Sequence, residues 1–102
     1  MQSVTVTELK KRMEEGEEIN LIDVREPDEN AAFNIGGTLL PLGKILTFQT
    51  EEIESLKNEI VVCYCKSGQR SMQASMMLET MGFKNVSNLT GGMTEWQREM
   101  KS

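Results

Sequence analysis

The chain has 102 residues, of which 38% are hydrophobic and 26% are charged, so it suits one folded domain and is neither disordered nor membrane-embedded. Its net charge of −5 argues against nucleic-acid and membrane partners, because both need clustered Lys and Arg side chains. The lack of histidine excludes Cys-His and Ser-His-Asp catalysis, and two cysteines are too few for an ordinary zinc site. We therefore expect no metal and no cofactor, although a small anionic substrate stays compatible with the local field of a cleft.

The two cysteines, Cys63 and Cys65, lie two positions apart. On a strand their side chains would point the same way, roughly 7 Å apart, which is too far for a disulfide. The simpler interpretation is that the protein occupies a reducing compartment, in which both cysteines stay free thiols. Residues 1–4 lack a signal-peptide pattern and no apolar run reaches membrane-spanning length, so we expect a cytoplasmic protein with a single domain over residues 1–102.

The first half of the chain alternates helical and strand patterns. Thr5 and Glu8 match a capping box that begins a helix. Three apolar residues then recur at helical spacing, Val6, Leu9 and Met13, and Gly16 is the expected helix stop. Residues 19–24 predict a buried strand, and residues 26–33 predict a turn into a short helix.

The middle of the chain contains its strongest strand signal, the β-branched run over residues 60–64. Before it, residues 38–40 predict a brief strand closed by Pro41, and residues 43–49 give no clear assignment. Residues 50–57 predict a helix that presents two apolar side chains on one side, Ile53 and Leu56.

After a loop, a helix is expected from about Ser71 to the glycine stop at Gly82. Its apolar face would consist of Ala74, Met77, Leu78 and Met81. Residues 86–89 predict another strand, and the glycines at 91 and 92 a turn into a last helix with three inward side chains, Met93, Trp96 and Met100. Strands that alternate with helices predict a parallel sheet covered on both faces, with the eight methionines mostly filling the core.

The candidate site is the loop between the strongest strand and the next helix: Cys65, Lys66, Ser67, Gly68, Gln69 and Arg70. Ligand sites of parallel sheets lie beyond the carboxyl ends of the strands. Such a loop directs backbone amides at one point in front of the helix, and Gly68 lets the backbone curl. Amides, the helix dipole and the cations Arg70 and Lys66 would stabilise a Cys65 thiolate without any base.

Each of these residues also has a purely structural interpretation. A cysteine at a strand end is usually an inert small hydrophobe, and we expect this for Cys63, buried and unreactive, but not for Cys65. Arg70 could be a solvated residue at a helix start, but a cation is unfavourable there, so its position suggests that it faces an anion. Lys66 could equally point to water.

These motifs together resemble the rhodanese domain family. The similarity runs from about Val4 to Met100 and rests on four stretches: residues 21–26, residues 60–71, residues 82–86, and residues 89–92 ahead of Trp96. One departure is visible, since the family often has His-Ile-Pro-Gly where this chain has Asn34, Ile35, Gly36 and Gly37. That difference leaves the course of this segment open.

The resemblance implies a three-layer α/β/α domain around a five-stranded parallel sheet. It implies that Cys65 takes sulfane sulfur from a small anionic donor such as thiosulfate as a persulfide. The sulfur would pass to cyanide in an assay, or to a thiol or protein acceptor in the cell. The amides of residues 66–70 would bind the anion, and Arg70 would hold the loop or the donor. Asp23 and Arg25 would brace the loop, unless they form a surface charge pair.

Three other functions are compatible with parts of this pattern. A cysteine phosphatase uses Cys-x5-Arg, whereas Arg70 lies only five positions after Cys65, so the smaller loop favours sulfur. A protein-to-protein sulfur relay or binding module needs the same loop and cannot be separated from a thiosulfate enzyme by sequence. A thiol redox protein is a poor match, because Cys63 is not at a suitable distance to resolve a disulfide.

Overall fold

The computed structural model describes residues 1–100 of the chain. Within this range the strands are β1 (Gln2–Val4), β2 (Asn20–Asp23), β3 (Thr38–Leu39), β4 (Ile60–Tyr64) and β5 (Asn85–Leu89). The α-helices are α1 (Val6–Glu14), α2 (Pro27–Ala32), α3 (Leu42–Leu46), α4 (Gln69–Thr80) and α5 (Gly92–Met100). A 3₁₀ helix covers Glu51–Leu56.

The five strands form one parallel sheet in the order β1-β5-β4-β2-β3. Central strand β4 is buried on both faces, because Val61 and Cys63 face one side while Val62 and Tyr64 face the other. Helices α3 and α4 cover the first face, and α1 and α5 cover the second. The predicted three-layer α/β/α architecture and its five-stranded parallel sheet are therefore confirmed.

Local sequence signals account for most element boundaries. Thr5 caps α1 as predicted, with the Glu8 amide donating to its hydroxyl at 3.1 Å and the Glu8 carboxylate accepting from the Thr5 amide at 2.9 Å. Gly82 follows α4 with φ +101°, a left-handed conformation that suits a helix stop. Among residues 1–100, no helix is long and apolar enough to cross a membrane.

Strand β1 is an element that the sequence patterns did not reveal. It is three residues long, and only Val4 is buried, so it carries almost no hydrophobic pattern. It forms because the exposed edge of β5 is available for parallel pairing, with Val4 opposite Leu89. The fifth strand thus depends on tertiary pairing rather than on its own residues.

Two other expectations need correction, and one unassigned segment gains an assignment. Helix α4 begins at Gln69 rather than near Ser71, so Gln69 and Arg70 belong to its first turn. The unassigned segment 43–49 contributes most of α3, and the predicted helix over residues 50–57 is a 3₁₀ helix. Each difference lies at a short or terminal element, where local hydrogen bonding decides the boundary.

The expectation that the methionines fill the core is wrong for most of them. Met93 is buried and Met77 and Met81 pack against the core, but five are exposed: Met1, Met13, Met72, Met76 and Met100. Met13 and Met100 lie in the last turns of α1 and α5, beyond the buried faces of these helices. Helical spacing therefore identified the correct faces but extended them one turn too far.

Residues 34–37, where the sequence departs from the family pattern, follow a defined course. The Tyr64 hydroxyl donates to the Gly36 carbonyl at 2.9 Å and accepts from the Ile35 amide at 3.4 Å. The Asn34 side-chain oxygen accepts from the Gly36 amide at 2.9 Å. The polar groups of this segment thus have partners without the histidine and proline of the family pattern.

Candidate active site

The 65–70 loop begins where β4 ends, at the carboxyl edge of the sheet. Tyr64 closes the strand, Cys65 follows it, and Gly68 precedes the first residue of α4, Gln69. Gly68 has φ +104°, and a Cβ added there would lie 3.4 Å from the Gly91 amide nitrogen. A glycine is needed at this position because a side chain would be strained and would crowd the neighbouring turn.

The Cys65 thiol lies at the focus of several hydrogen-bond donors. Its Sγ accepts from the Gly68 amide at 3.1 Å and from the Ser71 amide at 3.4 Å, and it lies 3.3 Å from Ser71 Oγ. Burial raises the pKa of the Cys65 thiol, but hydrogen bonds from Ser71 and from the amides of Gly68 and Ser67 lower it by more. The net direction is downward, which favours the thiolate.

Helix α5 supports the other side of this loop. The amides of Met93 and Thr94 donate to the carbonyls of Cys65 and Lys66, each at 2.9 Å. A side chain at Gly92, which has φ +52°, would collide with both of these carbonyl groups. The Gly-Gly turn therefore lets the start of α5 approach the backbone of the loop, fixing its carbonyls while its amides face the sulfur.

Ser71 and Asn88 belong to this site, although the sequence interpretation did not select them. Both are buried, the Ser71 hydroxyl donates to Asn88 Oδ1, and Asn88 Nδ2 donates to the Gly68 carbonyl at 3.2 Å. Asn88 lies opposite Cys63 in the β4–β5 register, next to the helix that carries Ser71. The sequence signal that could have selected Asn88 is the presence of a polar residue at an inward-facing position of a short strand.

Arg70 faces an anion, and this anion is the carboxylate of Glu29, so a role of Arg70 in holding a donor stays a prediction. The two guanidinium nitrogens donate to the two carboxylate oxygens at 2.7 and 2.9 Å. This pairing, with help from the Glu26 amide, lowers the pKa of Glu29 from 4.5 to about 2. Helix α2 is thereby joined to the first turn of α4, and Glu29 joins the residues that the sequence interpretation missed.

Asp23 and Arg25 are buried, so their alternative interpretation as a surface charge pair is wrong. Arg25 Nε and Nη2 donate to the two Asp23 oxygens, each at 2.9 Å. The pair also binds α2, because Asn30 donates to Asp23 at 2.9 Å and Arg25 donates to the Phe33 carbonyl at 2.6 Å. Arg25 also lies over the ring of Tyr64, 5.6 Å from its centre, and Tyr64 directly precedes Cys65. The pair thus contacts both α2, which carries Glu29, and the strand end from which the loop begins.

The remaining loop side chains, those of Lys66, Ser67 and Gln69, are exposed. A cavity of about 260 Å³ lies beside the loop and is lined by Lys66, Arg25, Glu29, Phe33 and Met93 among others. Its wall thus combines cationic, anionic and apolar groups, and it includes Lys66, the residue that follows Cys65. Within residues 1–100, no group of three or more His, Cys, Asp or Glu side chains could hold a metal ion.

Cys63 is fully buried in β4, as predicted, and burial raises its pKa to about 12. Both cysteines are free thiols. The same strand thus carries one thiol shielded from ionisation and, two residues later, one whose anion is stabilised.

Comparison with known proteins places this geometry in a family. The rhodanese-like domain model matches residues 5–99. A protein of Allochromatium vinosum named sulfurtransferase is 38% identical over 91 residues, which cover 88% of this chain and 82% of that protein. A human thiosulfate:glutathione sulfurtransferase is 29% identical over 106 residues, covering 92% of this chain and 91% of that protein.

Solved structures agree with the sequence comparison. The crystal structure of a rhodanese-like domain protein from Staphylococcus aureus matches with a TM-score of 0.80 and 33% identity, covering 94% of this chain and 91% of that chain. A relative in Schizosaccharomyces pombe is 41% identical over 93 residues, and the match spans 80% of this chain and 66% of that protein. The chain therefore belongs to the rhodanese-like domain family.

Proposed function

We propose that this protein is a sulfurtransferase that carries sulfane sulfur as a persulfide on Cys65. The observation that carries the proposal is the convergence of the Gly68 and Ser71 amides on Cys65 Sγ, at 3.1 and 3.4 Å, with Ser71 Oγ 3.3 Å away. This arrangement stabilises a sulfur anion without a histidine base, and the sequence contains no histidine. Family membership and the named relatives support the same reaction class.

The proposed reaction has two displacement steps. The Cys65 thiolate attacks the outer sulfur of thiosulfate, a new S–S bond forms, and sulfite leaves with the electron pair of the broken S–S bond. A thiophilic acceptor then attacks the outer sulfur of the persulfide, and Cys65 leaves as a thiolate. The acceptor is cyanide in an assay, and a thiol or a protein in the cell.

Each loop residue has a proposed role in these steps. The backbone of Lys66, Ser67, Gly68, Gln69 and Arg70 forms the anion-binding amide ring around the sulfur. The exposed Lys66 side chain, at the edge of the cavity, attracts the anionic donor. The Arg70 guanidinium is bound to Glu29, so it holds the loop against α2. Asp23 and Arg25 fix α2 in turn.

A protein-to-protein sulfur relay is the second candidate, and the Arg70–Glu29 pair favours it. Because Glu29 neutralises Arg70, less positive charge faces a free dianion such as thiosulfate. Transfer of labelled sulfane sulfur from a desulfurase to Cys65 tests this route, and absence of transfer excludes it for that donor. A phosphatase is disfavoured, because Arg70 follows Cys65 by five positions rather than six and is already bound to a carboxylate.

The first experiment is intact-mass measurement after incubation with thiosulfate, beside a Cys65→Ser variant. We expect the wild type alone to gain one sulfur, about 32 Da, because only a thiolate can accept it. Cyanide should remove this mass and release thiocyanate. No gain with thiosulfate would exclude it as the donor and leave the relay as the leading function, with aryl-phosphate hydrolysis tested next.

A further inference from the structure

The orientation of the Asn88 side chain is fixed by its two partners. A backbone carbonyl only accepts hydrogen bonds, so the group that faces the Gly68 carbonyl at 3.2 Å is the amide nitrogen of Asn88. The amide oxygen therefore faces Ser71, and it accepts the Ser71 hydroxyl proton. Both side chains are at most 2% exposed, so water does not compete for these bonds.

Ser71 consequently lies between two groups that can each take its single proton. One is Asn88 Oδ1, and the other is Cys65 Sγ, 3.3 Å from the hydroxyl oxygen. When Cys65 is a thiol, every donor has an acceptor, because the Cys65 S–H donates to the Ser71 hydroxyl and the Ser71 hydroxyl donates to Asn88. When Cys65 is a thiolate, the hydroxyl must turn towards sulfur, and Asn88 Oδ1 loses its donor.

We propose that Asn88 is a positioning residue that acts through the Ser71 hydroxyl to favour the thiol form of Cys65 between turnovers. On ionisation the thiol proton leaves to solvent, and the Ser71 hydroxyl rotates from Asn88 to the sulfur without breaking a covalent bond. Ser71 touches the reacting sulfur, whereas Asn88 only directs the Ser71 proton. The role in turnover rests on the proposed function, but ionisation of Cys65 can be measured without any sulfur donor.

Few other ionisable groups face Cys65. Arg70 interacts with it across the first turn of α4 but is bound to Glu29, and Cys63 lies below it in β4 with a pKa of about 12. Helix α5 approaches Cys65 through the backbone amide of Met93. The pH dependence of Cys65 alkylation therefore reports the ionisation of Cys65 itself.

The test is the pH dependence of Cys65 alkylation by iodoacetamide, followed by mass spectrometry in the wild type and in Asn88→Leu. Loss of the competing acceptor frees the Ser71 proton for the thiolate. We expect the midpoint to fall by about half to one pH unit, which is about a three- to tenfold faster reaction at a pH below the midpoint. A midpoint that stays or rises in Asn88→Leu would contradict the proposal.

A double-mutant cycle separates this role from simple support of the loop. In a Ser71→Ala background, Asn88→Leu should leave the midpoint unchanged, whereas in a Ser71→Thr background, which keeps the hydroxyl, the fall should return. An equal shift with and without the hydroxyl would show that Asn88 acts only through Gly68, and the proposal would be wrong. Should Asn88→Leu not fold, Asn88→Asp replaces it and should raise the midpoint, because its carboxylate binds the Ser71 proton more strongly.

Discussion

Single residues decide whether the 65–70 loop takes its shape, and Gly92 is the clearest case. The amides that follow it bind the Cys65 and Lys66 carbonyls, and its α-carbon lies so close to them that a methyl group cannot fit. The start of α5 therefore approaches the loop as closely as it does because residue 92 has no side chain. The family resemblance includes the Gly-Gly pair, but only the folded structure shows that a side chain at residue 92 would collide with the Cys65 and Lys66 carbonyls.

We expect Gly92→Ala to lower the free energy of unfolding by about 3 kcal/mol or more, because collision with the loop adds to the cost of a positive φ. Gly16→Ala is the matched control, since Gly16 also has a positive φ but nothing lies within 4 Å of the added Cβ. It should lose roughly 1–2 kcal/mol and keep full sulfur uptake. Urea unfolding and intact-mass measurement check both, and equal losses would show that the close approach is unimportant.

At the scale of elements, α2 is the support that joins the sheet to α4. Buried Asp23 and Arg25 hold its C-terminal half, through Asn30 and the Phe33 carbonyl, and Glu29 on the same helix binds Arg70. These contacts link residues that are between 7 and 41 positions apart. Local patterns therefore predicted the existence of α2 but gave no indication of which charges it would pair.

We expect Glu29→Gln to reduce stability at neutral pH and to slow sulfur uptake by loosening the first turn of α4. The folded pKa of Glu29 is lowered from 4.5 to about 2, so the stability from its pairing is present above pH 4.5 and is lost as the pH falls towards 2. The difference in stability between wild type and Glu29→Gln should therefore disappear over this interval in urea titrations.

Glu17→Gln is the control for that experiment, because Glu17 pairs with Arg12 at the far end of α1, in an exposed ion pair. It should leave sulfur uptake unchanged. A stability difference for Glu29→Gln that persists at pH 2 would show that the carboxylate charge is not responsible.

At the scale of the whole molecule, the sequence was sufficient for the architecture but not for the environment of the site. The capping box at Thr5, the run over residues 60–64 and the glycine stops are local signals, and the elements they predict are present. Ser71 and Asn88 meet because β4 and β5 pair in a particular register beneath α4, and no local pattern contains that information. The hydrogen-bond partners of buried polar side chains therefore depend on the strand order and register, which only the folded structure shows.

The central position of β4 makes Cys63 a probe of global unfolding. Both faces of the sheet are covered at this strand, so no small opening exposes the Cys63 thiol. In a Cys65→Ser background, we expect Cys63 labelling to need the same free energy of opening as complete unfolding in urea. Rapid labelling of Cys63 in the native protein would show that this side of the sheet opens locally.

Trp96 is the only tryptophan of the chain, and it lies four residues after Gly92 on the helix that supports the 65–70 loop. Its ring packs partly buried against the α1 side of the core, with Lys10 Nζ 5.4 Å from the ring centre. The intrinsic emission of this indole therefore depends on whether α5 stays docked against α1. The protein carries its own optical reporter for the helix that supports the 65–70 loop, and no label needs to be attached.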